Sequence, residues 1–403
     1  MTKFLSSPRA IAPFVCLLFM ACSDDSNSPV TMVIDMGTNA QTDVMIDDPD
    51  AALADGAQGE VDEPPKVGVT FINIEGAAER TLPTAIWYPA DPATQGEAIQ
   101  YAGFLARDAI EDAPVASGGP WPLIIFSHGN TGVKEQSVFL TEELARAGYI
   151  VMAPDHVGNT FFDGEGRFGE IMNHLRPLDV TAVIDRAMAL VESDPPWLAD
   201  KLNLDKIGIS GHSRGGYTSL AAVGAALGTH PMYREYCLAS ETDPVCAEFD
   251  PMASSHLLGD DRVIAALPLS PASYTLTAEG LSGVAAPVLI MTGKTDRLTP
   301  YDSVVIPIYE ALSPPKALWT LTQGDHYTFS DLCNVYDLLP AGSRDQFGSA
   351  CDPEHPMPPE TAHPLIIPVA QAFFDRALKG REDSAGLLTP MVTDQTTLVE
   401  VME

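Results

Sequence analysis

Basic residues are scarce. The chain carries 22 Lys and Arg against 55 Asp and Glu, a formal charge of −33. So acidic a surface repels nucleic acid and anionic lipid, which excludes both as expected partners. The apolar run near the N-terminus, Ile11 to Ala21, is about half of what a bilayer-spanning helix needs. No Cys or His spacing resembles a zinc site, so neither a metal nor a cofactor is expected. There is no internal repeat. Cysteine is sparse too, with six in 403 residues.

The N-terminus has the form of an export signal. Lys3 and Arg9 supply positive charge, the apolar run follows, and it stops at Met20-Ala21-Cys22-Ser23. A small residue before Cys at that point resembles a bacterial lipoprotein signal, which implies lipidation of Cys22. A cleaved secretory signal is the alternative. The expected location is the cell envelope or the outside, with membrane contact only through the N-terminal lipid anchor. Residues 23–65 hold eleven Asp and Glu and no Lys or Arg, with few aromatics. Such a segment buries too little apolar surface to offset the entropy of ordering, and a disordered acidic linker is expected. The expected organisation is thus a signal over 1–22, a linker over 23–65, one folded domain over 66–380 and a tail over 381–403. A monomer is expected.

Export places the remaining cysteines, Cys237, Cys246, Cys333 and Cys351, in an oxidising compartment. Three pairings are possible. The local one, Cys237–Cys246 and Cys333–Cys351, is chosen because each pair lies within one loop.

From Val67 onward, short apolar and β-branched runs alternate with helical patterns. Strands are expected at 67–74, 84–88, 123–126, 149–153, 206–209, 263–267, 288–291 and 317–321. Helices are expected at 134–147, 178–192, 215–227, 302–312 and 363–378. The later strands are continuously apolar, as parallel strands buried on both faces are. The alternation implies an α/β class and a mostly parallel, doubly wound sheet with helices on both faces. Two extended strands before the first helix suggest an antiparallel edge. Eight strands in this order match the α/β-hydrolase fold.

One strand, Lys206 to Ser210, runs into Gly211-His212-Ser213-Arg214-Gly215-Gly216 before a helix. This is G-x-S-x-G in its strand–turn–helix context, where small flanking residues permit a tight turn that exposes the serine. Ser213 is the expected nucleophile. It needs a base, and the base needs an acid to orient it. In this fold the acid and then the histidine follow the serine. Of nine histidines, His256 precedes the sixth strand, and His355 and His363 lie in or beyond a Pro-rich loop. His326 comes directly after the last strand, at the sheet edge where sites collect. Asp296 follows the preceding strand at the same edge and is the expected acid. Asp302 better suits a helix cap, and Asp325 is adjacent to the base. The Gly-rich loop Ser127-His128-Gly129-Asn130 after the third strand is where the fold presents an oxyanion-binding N–H. The backbone N–H groups of Asn130 and Arg214 are assigned that role. His128 is read as a structural hydrogen-bonding residue.

With these pieces in place, the chain resembles the platelet-activating-factor acetylhydrolase and dienelactone-hydrolase-like branch of the α/β hydrolases. It is also similar to polyester-hydrolysing, cutinase-like enzymes. The matching segments are Phe126-Ser-His-Gly129, Ala153-Pro-Asp-His156, Gly211 to Gly216, Gly293 to Asp296 and Gly324-Asp-His326. The resemblance implies Ser213, Asp296 and His326 as the triad of a serine esterase. Dienelactone hydrolases use cysteine where this chain has serine. The expected substrates are small-molecule, lipid or polymer esters with short acyl groups. Rival readings are an inactive surface or adhesion protein on the same fold, and a serine amidase, thioesterase or acyltransferase. About twenty residues separate the sixth and seventh expected strands, too few for a large cap domain. The larger insertion is expected at 228–261.

Overall fold

The computed structural model describes residues 65–398, apart from 102–104, 164–168, 193–197, 230, 241–242, 249, 251, 334–350, 352–354, 356, 383–385 and 390. The export signal, Cys22 and the acidic linker up to residue 64 lie outside the described residues. All described residues belong to one compact unit, Val61–Glu403.

Eight long strands appear where the apolar runs place them. They are β1 (Lys66–Gly76), β2 (Arg80–Ala90), β3 (Trp121–Ser127), β4 (Ile150–Pro154), β5 (Leu202–His212), β6 (Val263–Leu269), β7 (Val288–Gly293) and β8 (Lys316–Leu321). Their order across the sheet is β8-β7-β6-β5-β3-β4-β2-β1. β1 and β2 pair antiparallel, β2 pairs antiparallel with β4, and the six strands from β4 to β8 are parallel. Short strands extend both edges: Ile110–Glu111 beside β1, and Met391–Val392 with Thr396–Leu398 beside β8. The sheet therefore continues past residue 380, where a tail was expected. The short, polar Thr396-Thr397-Leu398 strand has no apolar signature and depends on its partner β8.

Helices cover both faces. α1 (Val138–Arg146) and a long C-terminal α6 (Pro359–Lys379) pack on one apolar layer; α2 (Met172–Glu192), α3 (Arg214–Ala222) and α5 (Ile306–Ala311) pack on the other. Gly208 in β5 shows how close the layers come, because a Cβ there would sit 2.8 Å from the Phe374 ring of α6.

Of the helix boundaries that differ from expectation, two matter for the site. α2 begins at Met172 rather than Leu178 and carries Pro177 in its interior. Proline has no N–H for the carbonyl four residues back. That carbonyl belongs to Asn173, and it accepts from the Tyr217 hydroxyl at 3.2 Å instead. α1 begins at Val138 rather than Lys134, because residues 134–136 are drawn into side-chain bonds: the Lys134 N–H donates to Asp155 Oδ1 at 2.7 Å.

Between β6 and β7 lies a single short helix, Ala278–Ser282, and no cap domain. The insertion after α3 holds helix α4 (Pro231–Ala239) and the short helix Pro244–Ala247. Cys237 and Cys246 are bonded across it, with Cα atoms 5.3 Å apart. Cys333 and Cys351 are bonded after β8, with Cα atoms 5.0 Å apart. Both pairs are the local ones expected. Among the described residues no helix is long and apolar enough to cross a membrane.

Candidate active site

The chain reverses its direction of travel across the sheet at β3: it moves outward to β4, then returns to β5 on the other side. Such a switch point opens a crevice at the carboxyl ends of the strands. The turn after β3 and the turn after β5 face each other there.

The turn after β5 is forced by close approach. A Cβ on Gly215 would lie 1.8 Å from the Ser127 carbonyl oxygen, and one on Gly211 would lie 2.6 Å from it. Only glycine allows the end of β3 so near. Between them Ser213 takes φ 57° and ψ −113°, a conformation most L residues avoid. It is held there by bonds to the end of β6: its N–H donates to Leu269 O at 2.9 Å, and its carbonyl accepts from the Ala272 N–H at 3.1 Å. Ser213 is half-buried, while its neighbours His212 and Arg214 are buried. Arg214 opens α3, at the helix end where N–H groups lack intrahelical partners.

The loops after β7 and β8 are pressed together at Gly293 and Gly324. A Cβ on Gly293 would meet the Gly324 oxygen at 2.1 Å, and that oxygen accepts from the Thr295 N–H at 3.1 Å. The result brings Asp296 onto His326, whose Nδ1–H donates to Asp296 Oδ2 at 2.7 Å. The second Asp296 oxygen accepts from the N–H groups of Leu298 and Thr299, each at 2.8 Å, and the Thr299 hydroxyl donates to Oδ2 at 2.7 Å. Burial alone would raise this carboxyl, but the imidazole and the Thr299 donors outweigh it and hold Asp296 below its ordinary value.

His326 is tied to the serine turn through His212. The His212 Nε2–H donates to the His326 carbonyl at 2.8 Å, and the two rings lie 4.6 Å apart. His212 Nδ1 accepts from Gln136 Nε2 at 2.6 Å, and Gln136 Oε1 accepts from the Gly129 N–H at 2.8 Å. Burial, then the neighbouring His326, pushes His212 down to about 3, so it stays neutral and keeps this tautomer. Gln136 and His212 thus link His326, the Ser213 turn and the loop after β3.

The rival residues lie elsewhere. Asp302 is exposed in the first turn of a π-helix, and Asp325 caps the 3-10 turn that begins with His326. His256 bonds to Thr229, His355 accepts from the Met357 N–H, and His363 stacks on Phe139.

Beneath the loop after β3 lies a buried polar cluster. The Asn130 side-chain oxygen accepts from Arg214 Nη1 at 2.7 Å and from Asn159 Nδ2 at 2.9 Å. Arg214 also reaches Asn173 and Asn159 and stacks on the Tyr274 ring, 4.5 Å from its centroid. Arg176 donates to the carbonyls of His128 and Gly129. Ser127 Oγ–H donates to His156 Nε2 at 2.8 Å, and His156 Nδ1–H donates to Asp179 Oδ2 at 2.8 Å, with Arg80 on the same carboxylate. His128 Nδ1 donates to Gly129 O and Nε2 accepts from the His156 N–H, a structural role as expected. In the sequence Ala153 to His156 stands out only as a matching segment, and Arg176, Asn159 and Gln136 belong to no motif. Nothing in their spacing signals a site, because their partners are distant in sequence.

Among the described residues no group of three or more His, Cys, Asp or Glu is placed to hold a metal ion.

Residues 64–161 match the family described as platelet-activating factor acetylhydrolase, isoform II. The segment runs from β1 through the loop after β4. No curated protein matches the sequence. A solved structure of a ferulic acid esterase from Streptomyces cinnamoneus superposes with a TM-score of 0.60 at 20% identity, covering 85% of this chain and 98% of that one. The chain has the α/β-hydrolase fold.

Proposed function

We propose that this α/β-hydrolase-fold chain is a carboxylic ester hydrolase in which Ser213, His326 and Asp296 act as a unit through an acyl-enzyme. His326 takes the Ser213 proton on Nε2 as Oγ attacks the ester carbonyl. Asp296, already bonded to Nδ1–H, stabilises the imidazolium that forms. The N–H groups of Asn130 and Arg214 receive the negative oxygen. The tetrahedral intermediate collapses, and the imidazolium returns its proton to the departing alcohol. Water then repeats the sequence on the acyl group and releases the acid.

The observation that carries this reading is the His326–Asp296 bond at 2.7 Å, on a base whose own carbonyl is fastened to the nucleophile turn. The likeness of residues 64–161 to an acetylhydrolase family supports ester chemistry. The substrate class follows from access. With one five-residue helix between β6 and β7, no cap domain is present there to enclose a long acyl chain. Each methylene left wet forfeits up to about 0.8 kcal/mol of binding. Short-acyl esters, including short-chain phospholipid-like or polyester segments, are therefore favoured. The two disulfides fit a compartment outside the cytosol, and Cys22 is proposed as a lipid anchor there.

The test is hydrolysis of p-nitrophenyl esters from C2 to C16, with labelling by a fluorophosphonate mapped by mass spectrometry. Expected are a C2 to C4 optimum and a single adduct on Ser213. A C16 optimum would overturn the substrate class, and an adduct elsewhere would overturn the mechanism.

A further inference from the structure

We infer that Arg176 is a positioning residue for the oxyanion site: it grips the Gly129–Asn130 peptide by its carbonyl oxygen and so directs the Asn130 N–H toward the open side of the loop. The inference rests on the esterase reading above.

In a trans peptide unit the C=O and the N–H that follows it point in opposite directions. Arg176 is fully buried in α2. Its Nη1 donates to the His128 carbonyl at 2.5 Å and its Nη2 to the Gly129 carbonyl at 2.8 Å. The Gly129 oxygen also accepts from His128 Nδ1 at 2.8 Å and from the Gly132 N–H at 3.2 Å. The unit joining Gly129 to Asn130 is thus held by its oxygen, and its N–H points away from the Arg176 guanidinium. A charge-assisted bond at the oxygen polarises the unit and strengthens its N–H as a donor. The preceding unit is held at both ends, its oxygen by Arg176 and its N–H by Gln136.

The guanidinium is itself braced. Asn159 Oδ1 accepts from Arg176 Nη2 at 2.7 Å and from Arg214 Nη1 at 3.0 Å, while Asn159 Nδ2 reaches Asn130. One small cluster therefore couples the turn after β3, which carries Asn130, to the turn after β5, which carries Arg214. Burial and the Arg214 charge push the Arg176 guanidinium down from its ordinary value. A guanidinium starts high enough to remain protonated at neutral pH.

The test compares the full chain with Arg176→Lys, which keeps the charge but loses the planar fork. The substrate is p-nitrophenyl acetate, and phenylboronic acid serves as a probe of the tetrahedral state. An N–H used only in that state should cost kcat and leave KM alone. Expected are a fall of about 30-fold in kcat, a change of less than about threefold in KM, and boronate affinity weakened by a similar 30-fold factor. A folded Arg176→Lys with wild-type kcat and boronate affinity overturns the inference, as does a rise in KM at unchanged kcat. Should Arg176→Lys fail to fold, Asn159→Ala removes the brace together with its bonds to Arg214 and Asn130; about a fivefold fall in kcat at constant KM is expected, and no fall overturns the inference. Ser213→Ala separates the two readings. If that variant stays active, the esterase reading fails; if it is dead while Arg176→Lys is wild type, only the positioning role fails.

Discussion

Two sets of serine, histidine and aspartate sit near the same edge of one sheet. In the interior set every link is closed: Ser127 to His156 at 2.8 Å and His156 to Asp179 at 2.8 Å, with all three residues at 0% exposure. In the other set Asp296 holds His326, and Ser213 stands half-buried on a left-handed turn at a helix start. Triad-like hydrogen bonding is therefore common to both sets, and access and charge are what differ. Asp179 is shared with Arg80, whose two nitrogens contact its two oxygens, so its negative charge is already compensated. Burial first, then the guanidinium groups of Arg176, Arg80 and Arg214, push His156 well below the ordinary histidine value. An imidazole ringed by cations cannot take up a proton. Asp296, by contrast, is surrounded by neutral N–H and O–H donors and keeps its charge for His326.

The largest expected effect separates the two serines. Ser213→Ala should lower kcat by about 10⁶-fold, and adding His326→Ala should make it hardly worse, because the residues act as a unit. Ser127→Ala should instead cost about 1–3 kcal/mol of stability for the unpaired buried partner, with kcat within about tenfold of wild type. A folded, inactive Ser127→Ala would erase the distinction.

The two aspartates should part in the same way. Asp296→Asn removes the tautomer control of the base and is expected to cost about 10⁴ in kcat with a small change in Tm. Asp179→Asn leaves Arg80 as a buried unpaired charge, and about 3–5 kcal/mol of stability should be lost. Paired urea titrations and p-nitrophenyl acetate assays read both axes. Equal loss of activity per folded molecule in the two variants would break the comparison.

The open site also has a covalent tether that the interior one lacks. Cys333–Cys351 closes a segment with a sequence separation of 18 shortly after His326. Replacing both cysteines by serine should cost about 3 kcal/mol in the chain-entropy account. Urea unfolding of the oxidised and doubly substituted chains measures it, and unchanged stability would show that the tether does nothing.

The smallest effect is on pH dependence. His156 is held neutral in the folded chain, below the 6.5 of a free histidine. The unfolded state therefore binds more protons as pH falls. The stabilisation from keeping His156 neutral is present above about pH 6.5 and declines below it. Between pH 6.5 and 5 the contribution amounts to about 1–2 kcal/mol. His156→Gln should flatten that part of the urea-midpoint profile; an unchanged slope would mean that the interior histidine does not titrate on unfolding.

Much of the site was legible in the residues themselves. The apolar runs located all eight long strands, and strand–Gly211-His212-Ser213-Arg214-Gly215–helix marked the tight turn that carries Ser213. Chain order placed Asp296 and His326 after successive strands, and nearness in sequence paired the cysteines. These features are local: a strand, a tight turn or a short loop is encoded by the residues within it. The early start of α2 was not legible, since Pro177 reads as a break until Tyr217 is seen to take up the Asn173 carbonyl. That hid Arg176, and with it the grip on a peptide 47 residues away. Nor does the sequence show that Ser127 has a histidine and an aspartate of its own. Only the tertiary structure decided that Ser127 faces a buried cluster rich in arginine while Ser213 faces the crevice. Burial and charge compensation depend on groups brought together from separate strands and helices, and no local pattern records them.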